Sequence, residues 1–449
     1  MAMISTLLIA NRGEIAVRII RAARELGIKS IVVYSEADQN SLAVKIADQA
    51  IKIGPPPVQE SYLFYQNIIS AALSAKADAI HPGYGFLAEN PAFAEACRAT
   101  NIKFVGPNAL AIRKMGDKAS AKALMKSANV PVVPGSDGIV ENYQAVQSVA
   151  EQIGYPLIIK ASAGGGGRGM RIVNEARELE NAYKCGASEA GAAFGDASVY
   201  VEKFITDPKH IEIQILSDKH GHVVHLFERD CSIQRRHQKL LEESPAAILD
   251  EEVRKKMGQA ALLAARAVNY DSAGTVEFIY DIDTRAFYFI EMNTRIQVEH
   301  PVTEEITGID LIKEQIKIAA AEKLKIQQKE IKRLGHAIEC RINAEDPQND
   351  FIPTPGKIDQ FIVPGGPGIR VDSGVYPGDT ISPYYDSMVA KLIARGRDRK
   401  EAVGRMKRAL QEFIIEGVKT TIPFHLEVIN HRAFLSGRYT TDFIKKFFS

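Results

Sequence analysis

Short apolar runs alternate with amphipathic stretches from the start of the chain. Thr6 to Ala10 reads as a buried strand. Ile15, Ile19, Ala22 and Leu26 follow at helical spacing, with Arg18, Arg21 and Arg24 on other faces, and Gly27 stops the helix. Ile31 to Tyr34 is a second apolar run, so the opening unit is strand, helix, strand, the unit of a parallel sheet. Ala79-Ile80 and Lys103 to Val105 repeat the alternation, each before a Gly/Pro turn, which predicts an α/β domain over residues 1–113. The pattern changes after Met115. Pro131 to Gly135 reads as a linker after a helix, and from Pro156 to Glu299 the apolar positions recur with period two between hairpin-type turns. That stretch predicts mostly antiparallel sheet with interspersed helices. From Gly335 onward short strands, Gly-Pro turns and a helix around Glu401 to Ile415 are expected.

Composition narrows the class. At roughly 150 residues per domain, 449 residues suggest about three domains. Lys plus Arg number 56 and Asp plus Glu 55, a net charge of +1, which gives no support to nucleic-acid binding through bulk charge. No run reaches the ~18 apolar residues of a membrane span, and Met1 to Ala10 lacks the pattern of a secretory signal. Cys97, Cys185, Cys231 and Cys340 are too scattered for a disulfide framework, so the reducing cytoplasm is the expected location.

Several stretches carry candidate chemistry. Five glycines between Gly164 and Gly169 separate two predicted strands, and such a loop lets backbone N–H groups approach phosphate oxygens. Lys160, just before it, can meet a phosphate as a point charge. Val199 to Ile205 reads as a strand end that could also receive a flat base. In His210 to Gln214 the isoleucines face one way and His210, Glu212 and Gln214 the other. Glu212 then belongs to a wet face, and His210 is the better site candidate. Glu228 to Lys239 is dense in charge, and from composition a solvated loop is as good a reading as a site.

The strongest constellation follows. Thr275 to Tyr280 and Ala286 to Glu291 read as a hairpin. A turn centred on Thr284 sets Glu277 opposite Glu291, where two carboxylates repel unless a cation joins them. Mg²⁺ prefers such oxygen ligands beside nucleotide phosphates, and Asn293 offers another on the same side. Beyond it Arg295 presents a planar fork to a small oxyanion, and Glu299 can act as a base. Glu339, Arg341 and Asn343 alternate onto one strand face, where Arg341 could stabilise a developing negative charge. A nicotinamide-dependent oxidoreductase fits less well, because Asn11 to Glu14 lacks the G-x-G-x-x-G fingerprint. A non-catalytic nucleotide-binding regulatory subunit is a further alternative.

Taken in order, these residues resemble biotin carboxylase, the ATP-grasp component of biotin-dependent carboxylases. The resemblance spans nearly the whole chain. It rests on Ile9 to Ile15, His81 to Leu87, Met115 to Lys118, the glycine run, Glu228 to Ser232, Gln234 to Lys239, Phe289 to Thr303 and Tyr384 to Met388. It implies a mixed α/β and α+β fold: a Rossmann-like parallel domain (1–113), a central ATP-grasp domain (114–330) with a mobile glycine-rich lid near 131–203, and a C-terminal mixed α+β domain (331–449). It implies ATP contacts from Lys118, Lys160, Gly166, Gly167, Glu202, Lys203, Phe204, Ile205, His210, Gln234 and His237. Mg²⁺ or Mn²⁺ would sit on Glu277, Glu291 and Asn293. Lys239, Arg295, Gln297, Val298 and Glu299 would hold bicarbonate, with Glu299 as base, and Arg341, Tyr84 and Gly85 would meet biotin. The implied partners are a separate biotin carboxyl carrier protein, carboxyltransferase subunits and a second copy of the chain. Acetyl-CoA carboxylase is the expected setting, with pyruvate or propionyl-CoA carboxylase as alternatives.

Overall fold

The structure is a computed structural model that describes residues 4–161, 170–194 and 197–448. Within these residues the first third forms a five-stranded parallel sheet, β1 (Thr6–Ile9), β2 (Lys29–Ser35), β3 (Gln49–Gly54), β4 (Ala79–His81) and β5 (Lys103–Phe104), in the order β3-β2-β1-β4-β5. β3 is an addition to the strands that the apolar runs single out. It is an edge strand in which only Ile53 is buried, so its alternation is weak. The loops at the ends of β1 and β4 meet. Asn11 Nδ2 donates to the carbonyls of Pro82 at 2.6 Å and Tyr84 at 2.7 Å. Gly83 makes this approach possible: its φ is +64°, and a Cβ there would stand 2.8 Å from the Asn11 amide.

A three-stranded antiparallel sheet follows, β6 (Leu157–Ala161), β7 (Met170–Val173) and β8 (Val199–Lys203), with β6 in the middle. The helices Tyr143–Ile153 and Leu179–Phe194 pack their apolar faces on it. The expected glycine lid, with Gly166 and Gly167, lies outside the described residues. The Pro131 to Gly135 linker is tied at both ends: Phe289 N donates to Pro131 O at 2.7 Å, and Gly135 bridges to Glu202.

The largest layer is an eight-stranded antiparallel sheet. It runs β13 (Phe287–Asn293), β12 (Ala273–Tyr280), β9 (Lys209–Ser217), β10 (Val223–Arg235), β11 (Gln238–Ser244), β14 (His336–Asn343), then Met388–Gly396 and Ile369–Ser373. Here the solvated-loop reading of Glu228 to Lys239 fails. Nearly all of it lies in β10 and β11, and only Arg236 and His237, both with left-handed backbone, form the turn. The expected wet face at Glu212 fails for the same reason: Glu212, Glu228, Arg229 and Asp230 are all fully buried. The sheet is covered on both sides. The helix Glu251–Ala267 packs on the isoleucine face of β9, and the helix His300–Thr307 packs through Val302 and Ile306 against Phe227, Ala337 and Ile393. Pairing of β11 with β14 carries the sheet into the last third of the chain, where the helix Arg399–Glu412 packs on Ile338, Cys340, Ile342 and Leu392. That helix ends before the predicted Ile415, which belongs to a short strand, Ile414–Glu416. Among the described residues, no helix is long and apolar enough to cross a membrane.

Candidate active site

The β12–β13 hairpin sets Glu277 directly opposite Glu291, with a bulge just beyond the pair. Four nitrogen donors converge on the Glu277 carboxylate. They are His210 Nε2 at 2.7 Å, Lys239 Nζ at 2.9 Å, Asn293 Nδ2 at 2.8 Å and Gln297 Nε2 at 2.7 Å. Burial works against the charge, but Lys239 and His210 outweigh it and hold the carboxyl well below its usual range. Glu291 is half-buried and meets Lys118 Nζ at 3.3 Å. Two carboxylates in cross-strand register form a hard-oxygen pair suited to a divalent cation. The Asn293 amide bridges instead, its nitrogen on Glu277 and its oxygen accepting from Arg295 at 2.7 Å.

Lys239 is the hub. Its ammonium reaches Glu212 at 2.6 Å, Glu277 at 2.9 Å and Glu299 at 2.7 Å. Burial opposes the charge, yet these three carboxylates hold it well above the usual lysine range. Glu299 stands between two cations, Lys239 on one oxygen and Arg341 on the other at 2.8 Å. Despite burial, Lys239 and Arg341 keep its carboxyl below the ordinary range, so it is ionised throughout the neutral region. Arg341 also donates through Nε to Glu242 at 2.7 Å.

Beneath this layer lies Arg229, fully buried, which the sequence places in a charged stretch but to which it gives no role. It pairs with Glu212, donates to Gln214 at 2.6 Å and Thr303 at 3.1 Å, and reaches Thr275 at 3.1 Å and Gln297 at 2.5 Å. Gln297 is thereby aimed at Glu277. Lys391, also buried, donates to the Val298 carbonyl at 2.8 Å and lies 3.0 Å from Glu14, which in turn accepts from the Tyr84 hydroxyl. This chain of contacts ties the loop after β4 to the Arg295–Glu299 segment. Gly85 is exposed beside Tyr84. Arg295 sits at the rim, its Nε donating to Glu89 at 2.9 Å.

Of the remaining predicted residues, Lys160, Glu202 and Lys203 lie on the three-stranded sheet, which leads on to Phe204 and Ile205, whereas Gln234 lies on β10 and His237 at its turn into β11. Glu202 accepts from Lys160 at 2.7 Å and from Lys122, a contact the sequence did not suggest. Lys203 Nζ donates to the Tyr155 carbonyl at 2.8 Å, and Phe204 N to Pro156 O at 3.1 Å, leading to half-buried Ile205. Gln234 pairs in register with Lys239, whereas His237 is exposed at the turn.

Chemically, the first group sets half-buried cations, Lys239 and Arg341, against the ionised carboxylates of Glu277 and Glu299, beside the Glu277–Glu291 pair suited to a metal. Comparison with known proteins agrees with that chemistry. Residues 3–112 match the family model for the biotin carboxylase N-terminal domain. Residues 117–327 match the carbamoyl-phosphate synthase L chain ATP-binding domain, and 339–446 the biotin carboxylase C-terminal domain. The chain is 59% identical over 445 residues to biotin carboxylase 1 of Bacillus subtilis, covering 99% of both chains. It is 56% identical to a pyruvate carboxylase subunit of Methanothermobacter thermautotrophicus, covering 99% of this chain and 90% of that one. Among solved structures, it resembles the biotin carboxylase domain dimer of Hydrogenobacter thermophilus 2-oxoglutarate carboxylase, in complex with MgADP, ADP and bicarbonate. The TM-score is 0.89 at 50% identity, with 99% and 98% of the two chains covered.

Proposed function

The chain belongs to the biotin carboxylase family, and on that premise we propose that it carboxylates biotin borne on a separate carrier, using ATP and bicarbonate. The observation that carries this reading is Glu299 clamped between Lys239 and Arg341. Bicarbonate is an anion that must meet another anion, ATP, and clustered half-buried cations make that encounter possible. Lys239 and Arg295 gather bicarbonate, with Gln297 and the Val298 backbone orienting it, and Glu299 takes its proton. The freed oxygen attacks the γ-phosphorus and ADP leaves, giving carboxyphosphate, which splits into CO₂ and phosphate. The biotin N1′ gives its proton to the released phosphate and bonds to CO₂, while Arg341 stabilises the negative charge on the ureido oxygen and Tyr84 and Gly85 border the ring. Lys118, Lys160, Glu202, Lys203, Phe204, Ile205, His210, Gln234 and His237, with Gly166 and Gly167, hold ATP. Glu277 and Glu291, with Asn293 beside them, would hold a Mg²⁺ ion, which would neutralise charge on the nucleotide phosphates.

We take the chain as organised in 1–113, 114–330 and 331–449, with a nucleotide lid at 131–203, supported by the family matches at 3–112, 117–327 and 339–446. The working assignment is the biotin carboxylase component of a cytoplasmic acetyl-CoA carboxylase, acting as a homodimer with a biotin carboxyl carrier protein and carboxyltransferase subunits. Similarity to a pyruvate carboxylase component favours a pyruvate-linked complex as the second reading. The test is phosphate release by the purified chain. It is expected to require Mg²⁺ and bicarbonate and to rise with free biotin; release equally fast in bicarbonate-depleted buffer rejects the function.

The carrier is expected on another chain. Both Met-Lys pairs of the sequence lie in helices, Met125-Lys126 in Lys118–Ser127 and Met406-Lys407 in Arg399–Glu412. Met125 and Met406 are buried, and Lys126 is paired with Asp137. A biotin acceptor at a hairpin tip looks quite different. A streptavidin blot of this chain expressed with a biotin ligase should stay blank, and a biotinylated carrier domain should exceed free biotin in kcat/KM, because docking positions the ring. A band at the mass of this chain, or no preference for the carrier, would contradict the division of labour.

A further inference from the structure

β14 carries Glu339 two residues before Arg341, so both side chains leave the same face of the strand. Glu339 is fully buried, and neither carboxyl oxygen meets a hydrogen-bond partner among the described residues. Directly across the β11–β14 pair stands Glu242, equally buried. One Glu242 oxygen accepts from Arg341, and the other has no partner among the described residues. Opposed side chains on antiparallel strands have Cβ atoms about 4.5–5.5 Å apart, and two ionised carboxylates at that spacing repel. Buried away from bulk solvent, the pair relaxes by keeping a proton.

The surroundings contain one more cation, but it is already engaged. The charged or titratable groups facing Glu339 are Glu242 from β11, Lys391 from the strand Met388–Gly396, Arg341 from its own strand and Glu299 at the head of the helix His300–Thr307. Lys391 is held by Glu14 and the Val298 carbonyl. On that helix His300 is kept neutral by burial and by Lys391, while Glu304 is paired with Arg18 and Arg370. On the opposite face of β14 the helix Arg399–Glu412 contributes apolar side chains, Ala402, Met406 and Ala409.

We propose that Glu339 is a positioning residue for Arg341: Glu339 and Glu242 hold one proton between them, so that Arg341 faces a single negative charge on that side and stays free to serve biotin. This rests on the reading that places biotin against Arg341. Burial pushes the carboxyl of Glu242 up to about 7 and that of Glu339 well above the carboxylate range, so the pair keeps its proton near neutral pH and releases it to solvent as the pH rises. Once the proton is lost, a charge of −2 draws the guanidinium toward β11 and away from the ureido oxygen.

The test is the pH dependence of KM for biotin in the unmodified enzyme and in Glu339→Gln, where the amide cannot ionise. In the unmodified enzyme KM should rise on the alkaline side, by up to about tenfold per pH unit, with kcat changing less. In Glu339→Gln that rise should be absent. A role confined to filling space predicts superimposable profiles, and that result would overturn the proposal. Infrared spectroscopy gives a second readout that needs no turnover. At neutral pH the unmodified protein should show the C=O stretch of a buried protonated carboxyl, disappearing over the pH range in which KM rises. If Glu339→Gln does not fold, the unmodified protein still decides, because absence of the band excludes the shared proton. Lack of any biotin-dependent turnover, with the band present, would reject the functional reading and leave the proton where the geometry puts it.

Discussion

Glu299→Gln is expected to lose carboxylation by about 10²–10⁴-fold while ATP affinity changes little, since removal of a positioned general base costs on that order. Glutamine fills the same volume, but its single amide oxygen can accept from only one of Lys239 and Arg341, its NH2 meets the other cation, and it cannot take a proton from bicarbonate. The structure sharpens this expectation. With its two oxygens held by Lys239 at 2.7 Å and Arg341 at 2.8 Å, Glu299 has a folded-state pKa below the unfolded value. The charged form is therefore the bound form, its contribution to stability is present above the unfolded pKa, and it is lost only as pH falls through the depressed value. An acid limb in kcat/KM above about pH 5 must then belong to another group. Steady-state carboxylation at saturating ATP, beside nucleotide binding by titration, checks the split. Carboxylation near the unmodified rate would remove Glu299 from the base role, and a parallel loss of ATP affinity would make it a structural support.

How far the sequence foretold this arrangement depended on how local the determining contacts were. The opposition of Glu277 and Glu291 was legible, because period-two alternation on either side of a short turn sets the register within 15 residues of chain. The strand–helix alternation of the first domain was legible for the same reason, apart from β3, whose edge position leaves only Ile53 buried. The polar residues of β9 and β10 were not. Whether Glu212 faces water or protein depends on the helix His300–Thr307, which lies far away in sequence and covers the second face of the sheet. Alternation says only that polar positions share a face. The Glu242–Glu339 opposition was hidden likewise, because β11 and β14 pair across more than 90 residues. Lys122 and Lys391 escaped notice because the first stands in an ordinary-looking amphipathic helix and the second in an apolar strand, and only the fold brings them to Glu202 and Val298.

Arg229→Met is expected to destabilise the protein by about 3–5 kcal/mol and to abolish efficient use of bicarbonate. Arg229 and Glu212 are a fully buried ion pair, and removing Arg229 from it is destabilising although Lys239 still meets the other Glu212 oxygen. The surrounding bonds raise the stakes. Arg229 fixes Gln297 from behind at 2.5 Å while Gln297 donates to Glu277 at 2.7 Å, so its loss frees the segment between Arg295 and Glu299. Thr275 and Thr303, each 3.1 Å from the guanidinium, link β12 to the helix His300–Thr307 through the same side chain. Denaturant unfolding measures the first effect and KM for bicarbonate the second. Methionine preserves much of the volume, which leaves the lost charge and hydrogen bonds as the main cause. The double variant Arg229→Met/Glu212→Met separates the two effects, because replacing both ions by apolar groups often recovers stability. Stability should return in part, whereas activity should not, since Lys239 has then lost one of its three carboxylates and Gln297 its anchor. If the single variant melts within about 1 kcal/mol of the unmodified protein, the buried pair is not what holds this sheet to the helix above it.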